Sequence, residues 1–322
     1  MAEVNETTVT QFLLLGFQNH WLLNYFLFIV FLLIFIFTLL GNLIIIMLVT
    51  KSQSLKSAMY FFLSQVSFSD ILLTTTVTPK MLQVVKDRRG FINVFDCIVQ
   101  LFFYSGTTTA ECLLLTVMSY DRYLAICKPL HYNSIMDIRL RSYLALWPWL
   151  IGFMVAFVLI MFVCNFKFCG AYIMDHYLCD LAPLLKLTCS NHSILDILDF
   201  ILTIPFIIFP FFFISFTYIS IFNNILKISS TIGRRKAFST CSSHLIVVSI
   251  YYGTLMNVYM IPSNLYSYNI NKIVSPLYTA GTPLLNPIIY SLRNQEIKTA
   301  LRKLLPAMLT VRTFGHVAKT SS

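Results

Sequence analysis

Asp121-Arg122-Tyr123 closes a long apolar stretch of this chain. Arginine keeps its charge in any protein environment. Here it falls where a run of hydrocarbon side chains gives way to polar ones, with Asp121 beside it as a partner. Two acids lie deeper in apolar runs, Asp70 and Glu111. An ionisable residue inside such a run costs about 2.5–3.5 kcal/mol and marks a functional position by default. Glu111 precedes Arg122 by three helical turns, so the two share a face about 16 Å apart. Asn286-Pro287-x-x-Tyr290 combines a helix kink with a phenol one turn away. No G-x-S-x-G, Walker or zinc spacing occurs, and no enzyme reading follows.

The elements that must position these groups are membrane helices. The chain is 57% hydrophobic and 11% charged, with a mean hydropathy of +0.76. Soluble domains carry about 25% charged residues. Apolar runs occupy Asn24–Thr50, Ser57–Pro79, Ile98–Tyr120, Ser142–Phe166, Phe200–Leu226, Ala237–Asn271 and Val274–Leu292. Each exceeds the roughly 18–20 residues that cross the hydrocarbon as helix, so the fold class is an all-α bundle of seven transmembrane helices. Prolines 148, 205, 210, 283 and 287 lie inside runs, which bundled membrane helices tolerate. After Arg293, the stripe Ile297, Leu301, Leu304 and Leu305 predicts a short amphipathic eighth helix along the inner leaflet, flanked by Lys298, Arg302 and Lys303. This divides the chain into residues 1–23 outside, 24–292 as the seven-helix domain and 293–322 as the cytoplasmic helix and tail.

Orientation follows from the cations. With the N-terminus outside, inner segments hold 16 of the 23 Lys and Arg residues, which the positive-inside rule selects. The net charge of +10 then faces anionic membrane lipid, not nucleic acid. No basic n-region precedes the first run, so that run is expected to act as an uncleaved anchor. The sequons at Asn5 and Asn191 both fall outside. So do Cys97, Cys169, Cys179 and Cys189, where disulfides persist and three pairings are open. Cys164 has no evident partner, and Cys112, Cys127 and Cys241 are expected as reduced thiols. No cysteine follows Cys241 to carry a palmitate.

Several strings, in order along the chain, resemble the olfactory receptors, a branch of the rhodopsin-like G-protein-coupled receptors. They are QFLLLGF at 11–17, MYFFLS at 59–64, SFSD at 67–70, MSYDRYLAICKPLHY at 118–132, KAFSTCSSHL at 236–245 and PLLNPIIYSLRN at 283–294. The chain departs from the family pattern at Ala58, where proline is usual, and at Ser119, where alanine is frequent.

The resemblance implies a multi-pass receptor in the plasma membrane, its N-terminus extracellular. It would bind a small odorant and activate a heterotrimeric G protein of the stimulatory, olfactory class, raising cyclic AMP. It implies coupling and activation roles for Asp121, Arg122, Tyr123, Tyr218, Lys236, Asn286, Pro287 and Tyr290. It selects Cys97–Cys179 and Cys169–Cys189 as disulfides. It places Asp70 and Glu111 beside an interior polar pocket, where two close carboxylates need either a sodium ion or a shared proton between them; no other cofactor is expected. The ligand set is Tyr104, Ser105, Thr108, Thr109, Leu202, Phe206, Tyr252, Leu255, Tyr259 and Thr279. Within each helix these recur at helical spacing, and the set is aromatic and hydroxyl-bearing without an acid or base, which suits a small neutral ligand. Two other readings remain: a rhodopsin-like receptor for a non-odorant small molecule, and a transporter or channel, although no internal repeat supports the latter.

Overall fold

The computed structural model describes residues 9–303 except 19, 169–171, 189–192, 260–271 and 273. Seven long helical segments run through it: α1 (Trp21–Lys51), α2 (Ala58–Asp87), α3 (Val94–Cys127), α4 (Ile138–Val163), α5 (Ser193–Leu226), α6 (Thr231–Tyr259) and α7 (Thr282–Arg293). A π-helical turn at Leu277–Gly281 leads into α7. Among the described residues, Trp21–Lys51, Val94–Cys127, Ile138–Val163 and Pro205–Leu226 are long and apolar enough to cross a membrane on composition alone. The other helices are more polar because they carry charged or hydroxyl groups, several buried inside the bundle, such as Asp70, Thr74 and Thr78 of α2 and His244 of α6.

α3 is the central post, packed against α2, α4 and α5. Its crossing with α4 is close because the contact residues are small. A Cβ on Gly152 would lie 2.5 Å from the carbonyl oxygen of Gly106 and 2.9 Å from the nitrogen of Ala110. Without a hydrophobic drive between helices in lipid, such close backbone packing supplies the attraction.

Pro287 leaves the carbonyl of Pro283 without its helical donor. Asn42 of α1 supplies one, its Nδ2 donating to Pro283 O at 3.1 Å and to Thr38 O at 3.0 Å. Gly41 beside it admits the Pro287 ring, which a Cβ would meet at 3.0 Å. Asn294 then breaks the helix, with extended backbone at ψ 113. Its Oδ1 accepts from the backbone N–H of Glu296 and Ile297, capping a further helix over 295–303. The sequence predicts this eighth helix lying on the leaflet. Its stripe residue Ile297 and neighbouring Ala300 are buried against the bundle, while Leu304 and Leu305 fall outside the described residues.

The outer surface carries a small sheet that the sequence analysis does not foresee. β1 (Gln11–Leu15) pairs antiparallel with β2 (Arg89–Asn93) and parallel with β3 (Ile173–Met174), in the order β2-β1-β3. Its alternate residues Phe12 and Leu14 are fully buried. The QFLLLGF string is thus a strand clasped between the first and second outer loops. Arg88 adopts the left-handed conformation at φ 63 to turn the chain from α2 into β2, and its carbonyl accepts from Gly16 N at 2.8 Å.

Candidate functional site

An outer cavity of about 110 Å³ lies between α3, α4, α5 and α6. Leu101, Tyr104, Ser105, Thr108, Thr109 and Cys112 line it from α3, Val155, Ala156 and Leu159 from α4, Phe206 and Ile207 from α5, and Leu255 from α6. Its outer wall is Asp180, Leu181 and Ala182, the segment that follows Cys179. A Cys97–Cys179 disulfide ties that segment to the start of α3. Gln100 reinforces the tie: its Oε1 accepts from Cys179 N at 2.9 Å and its Nε2 donates to Thr76 O of α2 at 3.0 Å. Asp180 caps the short helix Leu181–Leu185 by accepting from Leu181 N. Two tyrosines of α6 close the floor. Tyr251 Oη donates to Thr108 O at 2.9 Å and Tyr252 Oη to Cys112 O at 3.2 Å.

Midway through the bundle, Asp70 and Glu111 are both fully buried. Asn286 of α7 donates through Nδ2 to both Asp70 oxygens, at 3.1 and 3.0 Å. Asn286 Oδ1 and both Glu111 carboxylate oxygens make no hydrogen bond of standard geometry, although Asn286 and Ser69 come within polar reach of Glu111. The cluster is therefore rich in unengaged oxygens, which a cation, a proton or an ordered water can satisfy.

At the opposite end of the bundle from the outer cavity, Arg122 donates to Asp121 through its Nε at 3.1 Å and through Nη2. Tyr132, from the loop after α3, donates its hydroxyl to the other Asp121 oxygen at 2.8 Å. Burial and the adjacent Asp121 carboxylate hold the Tyr132 phenol above its ordinary value. A cavity of about 800 Å³ opens here, lined among others by Arg122, Tyr132, Arg235, His244, Tyr290 and Glu296. Tyr218 of α5 meets His244 of α6 at 2.6 Å, hydroxyl to Nδ1. Tyr290 is buried and its hydroxyl makes no hydrogen bond among the described residues. Tyr60 of α2 links the bundle to the eighth helix, donating to Asn294 Oδ1 at 3.1 Å and Glu296 Oε2 at 2.8 Å.

A small outer cavity and a wider inner one thus lie toward the two ends of α3. A family model described as olfactory receptor matches residues 31–307. The chain belongs to the olfactory receptor family. Human olfactory receptor 11A1 is 44% identical over 305 residues, covering 95% of this chain and 96% of that receptor. Human olfactory receptor 6X1 is 45% identical over 312 residues, covering 97% and 99%. Mouse olfactory receptor 5G9 is 43% identical over 301 residues, covering 94% and 96%. Squid rhodopsin superposes with a TM-score of 0.73 at 19% identity, over 91% of this chain and 84% of that one, which establishes the rhodopsin-like fold. The chain is thus a multi-pass membrane receptor of a family that takes small molecules and couples to G proteins, and not an enzyme.

Of the ligand set expected for this olfactory receptor, Tyr104, Ser105, Thr108, Thr109, Phe206 and Leu255 line the outer cavity. Tyr252 lies below it as an α3–α6 staple, and Thr279 turns its hydroxyl to Ser275 O within its own helix at 2.9 Å. Leu202, Tyr259 and Lys236 lie on described helices, but their side chains fall outside the described residues. Cys169, Cys189, Asn5 and Asn191 also fall outside them; Phe168 and Thr188, one residue before each of those cysteines, form an antiparallel bridge. Tyr123 is half-buried against the bundle core. Cys112, Cys127, Cys164 and Cys241 are free thiols. The sequence reading misses the α4 wall and Asp180, an acid in a lining expected to have none. Only the position of Asp180 next to Cys179 signals it. It also misses Tyr132, which lies within the string at 118–132 that carries the resemblance.

Proposed function

We propose that this chain is an odorant receptor of the plasma membrane, N-terminus outside, which binds a small neutral ligand in the outer cavity and activates a stimulatory, olfactory-type G protein to raise cyclic AMP. The observation that carries this reading is that the outer cavity and Arg122 lie on the same helix, α3, and that α6, stapled to α3 at the cavity floor, also lines the inner cavity. A ligand that shifts the α3–α6 contact therefore acts directly on the helix that must move to admit a G-protein helix. At about 110 Å³ the cavity is smaller than the roughly 150 Å³ apolar cavity that holds benzene, so the ligand is compact or the walls give way on binding. Leu101, Val155, Ala156, Leu159 and Leu255 supply burial, and Thr108 supplies a hydroxyl for one hydrogen bond.

A sodium ion between Asp70 and Glu111 fits the same reading. Asp70, Glu111 and Asn286 Oδ1 would hold it, and it would supply the positive charge that lets two buried carboxylates stay ionised. A shared proton is the alternative. Expression with a cyclic-AMP reporter and a broad odorant panel tests the function. Agonist-driven cyclic AMP that disappears in Arg122→Ala at unchanged surface expression is the expected result. Full signalling by that variant overturns the coupling assignment.

A further inference from the structure

Between the cytoplasmic halves of α5 and α6 lies a cleft of about 420 Å³. Ile221, Phe222 and Ile225 line it from α5, and Phe238, Cys241 and Leu245 from α6. The cleft arises because α6 touches α5 over far less of its length than α3 does. It faces outward from the bundle: Ile219, Phe222, Phe238 and Leu245 on its rim are exposed. At its cytoplasmic third the rings of Phe222 and Phe238 meet edge to face at 6.4 Å.

The foot of the cleft is basic. Arg234, Phe238, Cys241 and Leu245 recur at i, i+4, i+7 and i+11, so Arg234 extends the cleft-lining stripe of α6 by one turn. Its guanidinium reaches across to the end of α5, donating to Ile228 O at 2.9 Å and Leu226 O at 3.5 Å. That places a permanent positive charge at the cytoplasmic end of the cleft, on an exposed side chain. Lys227 is exposed beside it. No Asp or Glu occurs between Asp199 and Glu296, and neither cation pairs with a carboxylate among the described residues.

We propose that this cleft is a binding site for an anionic phospholipid of the inner leaflet, with one acyl chain between α5 and α6 and the phosphate at Arg234. The arrangement is that of a lipid: an apolar slot in the hydrocarbon, with uncompensated cations at headgroup depth directly beneath it. Tyr218 lines the slot and bonds His244 across the two helices, so a chain seated there contacts the α5–α6 pair that must part for a G protein to dock. Lipid occupancy therefore biases the receptor independently of what fills the outer cavity.

The test uses the full receptor in phosphatidylcholine nanodiscs containing a trace of either phosphatidylserine or phosphatidylcholine with a diazirine-bearing acyl chain, followed by photolysis and peptide mapping. Adducts should concentrate on 215–225 and 238–245, with the serine probe labelling several-fold more than the choline probe. Arg234→Ala should cut labelling by the serine probe about five-fold, whereas Arg139→Ala, on the same leaflet at the start of α4, should not. Ser242→Trp, filling the cleft, should reduce labelling by both probes. Equal labelling by the two probes, or adducts spread over the lipid faces of α1 and α4 as densely as over the cleft, would overturn the proposal. So would an unchanged serine preference in Arg234→Ala, an arm that does not depend on the filled variant folding.

Discussion

Thr108 presents a buried hydroxyl to the outer cavity with no hydrogen-bond partner among the described residues, while Ser105 and Thr109 engage theirs with the carbonyls of Leu101 and Ser105. Replacing it by the near-isosteric valine removes one ligand hydrogen bond and leaves the shape. Thr108→Val should weaken the potency of a hydrogen-bonding agonist about ten-fold, a loss of about 1–1.5 kcal/mol. Ser105→Ala should change it little. Concentration–response curves in the cyclic-AMP reporter decide between them. At the other end of α3, Asp121 is shared between Arg122 and Tyr132. Asp121→Asn keeps the shape but removes the charge that holds the guanidinium. Ligand-independent cyclic AMP should rise several-fold, and a basal level equal to the wild type would show that Asp121 does not restrain Arg122. Ser119 and Ala58, the departures from the family pattern, are accommodated locally. Ser119 donates to Thr116 O at 2.7 Å, and Ala58 starts α2, where proline would equally serve.

Among the elements, the outer sheet makes the most specific structural demand. β1 approaches α2 so closely that a Cβ on Gly16 would lie 2.4 Å from the Val84 carbonyl oxygen. Because the obstacle is backbone, it cannot rotate away. Gly16→Ala should cost about 1–3 kcal/mol, measured as a lowered melting temperature of the purified receptor and reduced surface expression. The second outer loop carries a pH dependence. His176 is buried, accepts from Leu178 N through Nδ1 and turns Nε2 to Ser275. Burial and the nearby Lys272 push its imidazole down from 6.5 to about 4. The unfolded chain takes up a proton below pH 6.5 that the folded loop refuses until about pH 4. Stability from this group is therefore complete above pH 6.5 and declines by up to about 3 kcal/mol as pH falls to 4. Melting temperatures across that window should fall less steeply in His176→Asn, whose side-chain oxygen can still accept from Leu178 N.

For the whole molecule, the polar cluster joins α2, α3 and α7 midway through the bundle. Asp70, Glu111 and Asn286 come from three helices, so their mutual geometry is a property of the bundle packing. An ion held there favours the packing that brings them together, and agonist and ion then oppose each other by linkage. Raising sodium at constant ionic strength, balanced with potassium, should lower agonist potency in membranes, and Glu111→Gln should blunt the effect. Potency indifferent to sodium would favour a shared proton.

The sequence by itself determined the bundle and its family, and it carries the cation asymmetry on which the proposed orientation rests. Each of these rests on local quantities: the length of an apolar run, the side on which Lys and Arg gather, and strings such as DRY and NPxxY that lie within one helix. It also marked six residues that line the outer cavity, because helical period alone aligns them on one face of their own helix. It could not say that Tyr252 and Thr279 point elsewhere, since rotation of α6 and α7 about their axes is set by contacts with α3 and by the π turn before Thr282. Nor could it join Gln11–Leu15 to strands 80 and 160 residues away, or seat Tyr132 on Asp121. Those pairings are long-range, and a run of residues carries no record of its partner until packing brings the two together.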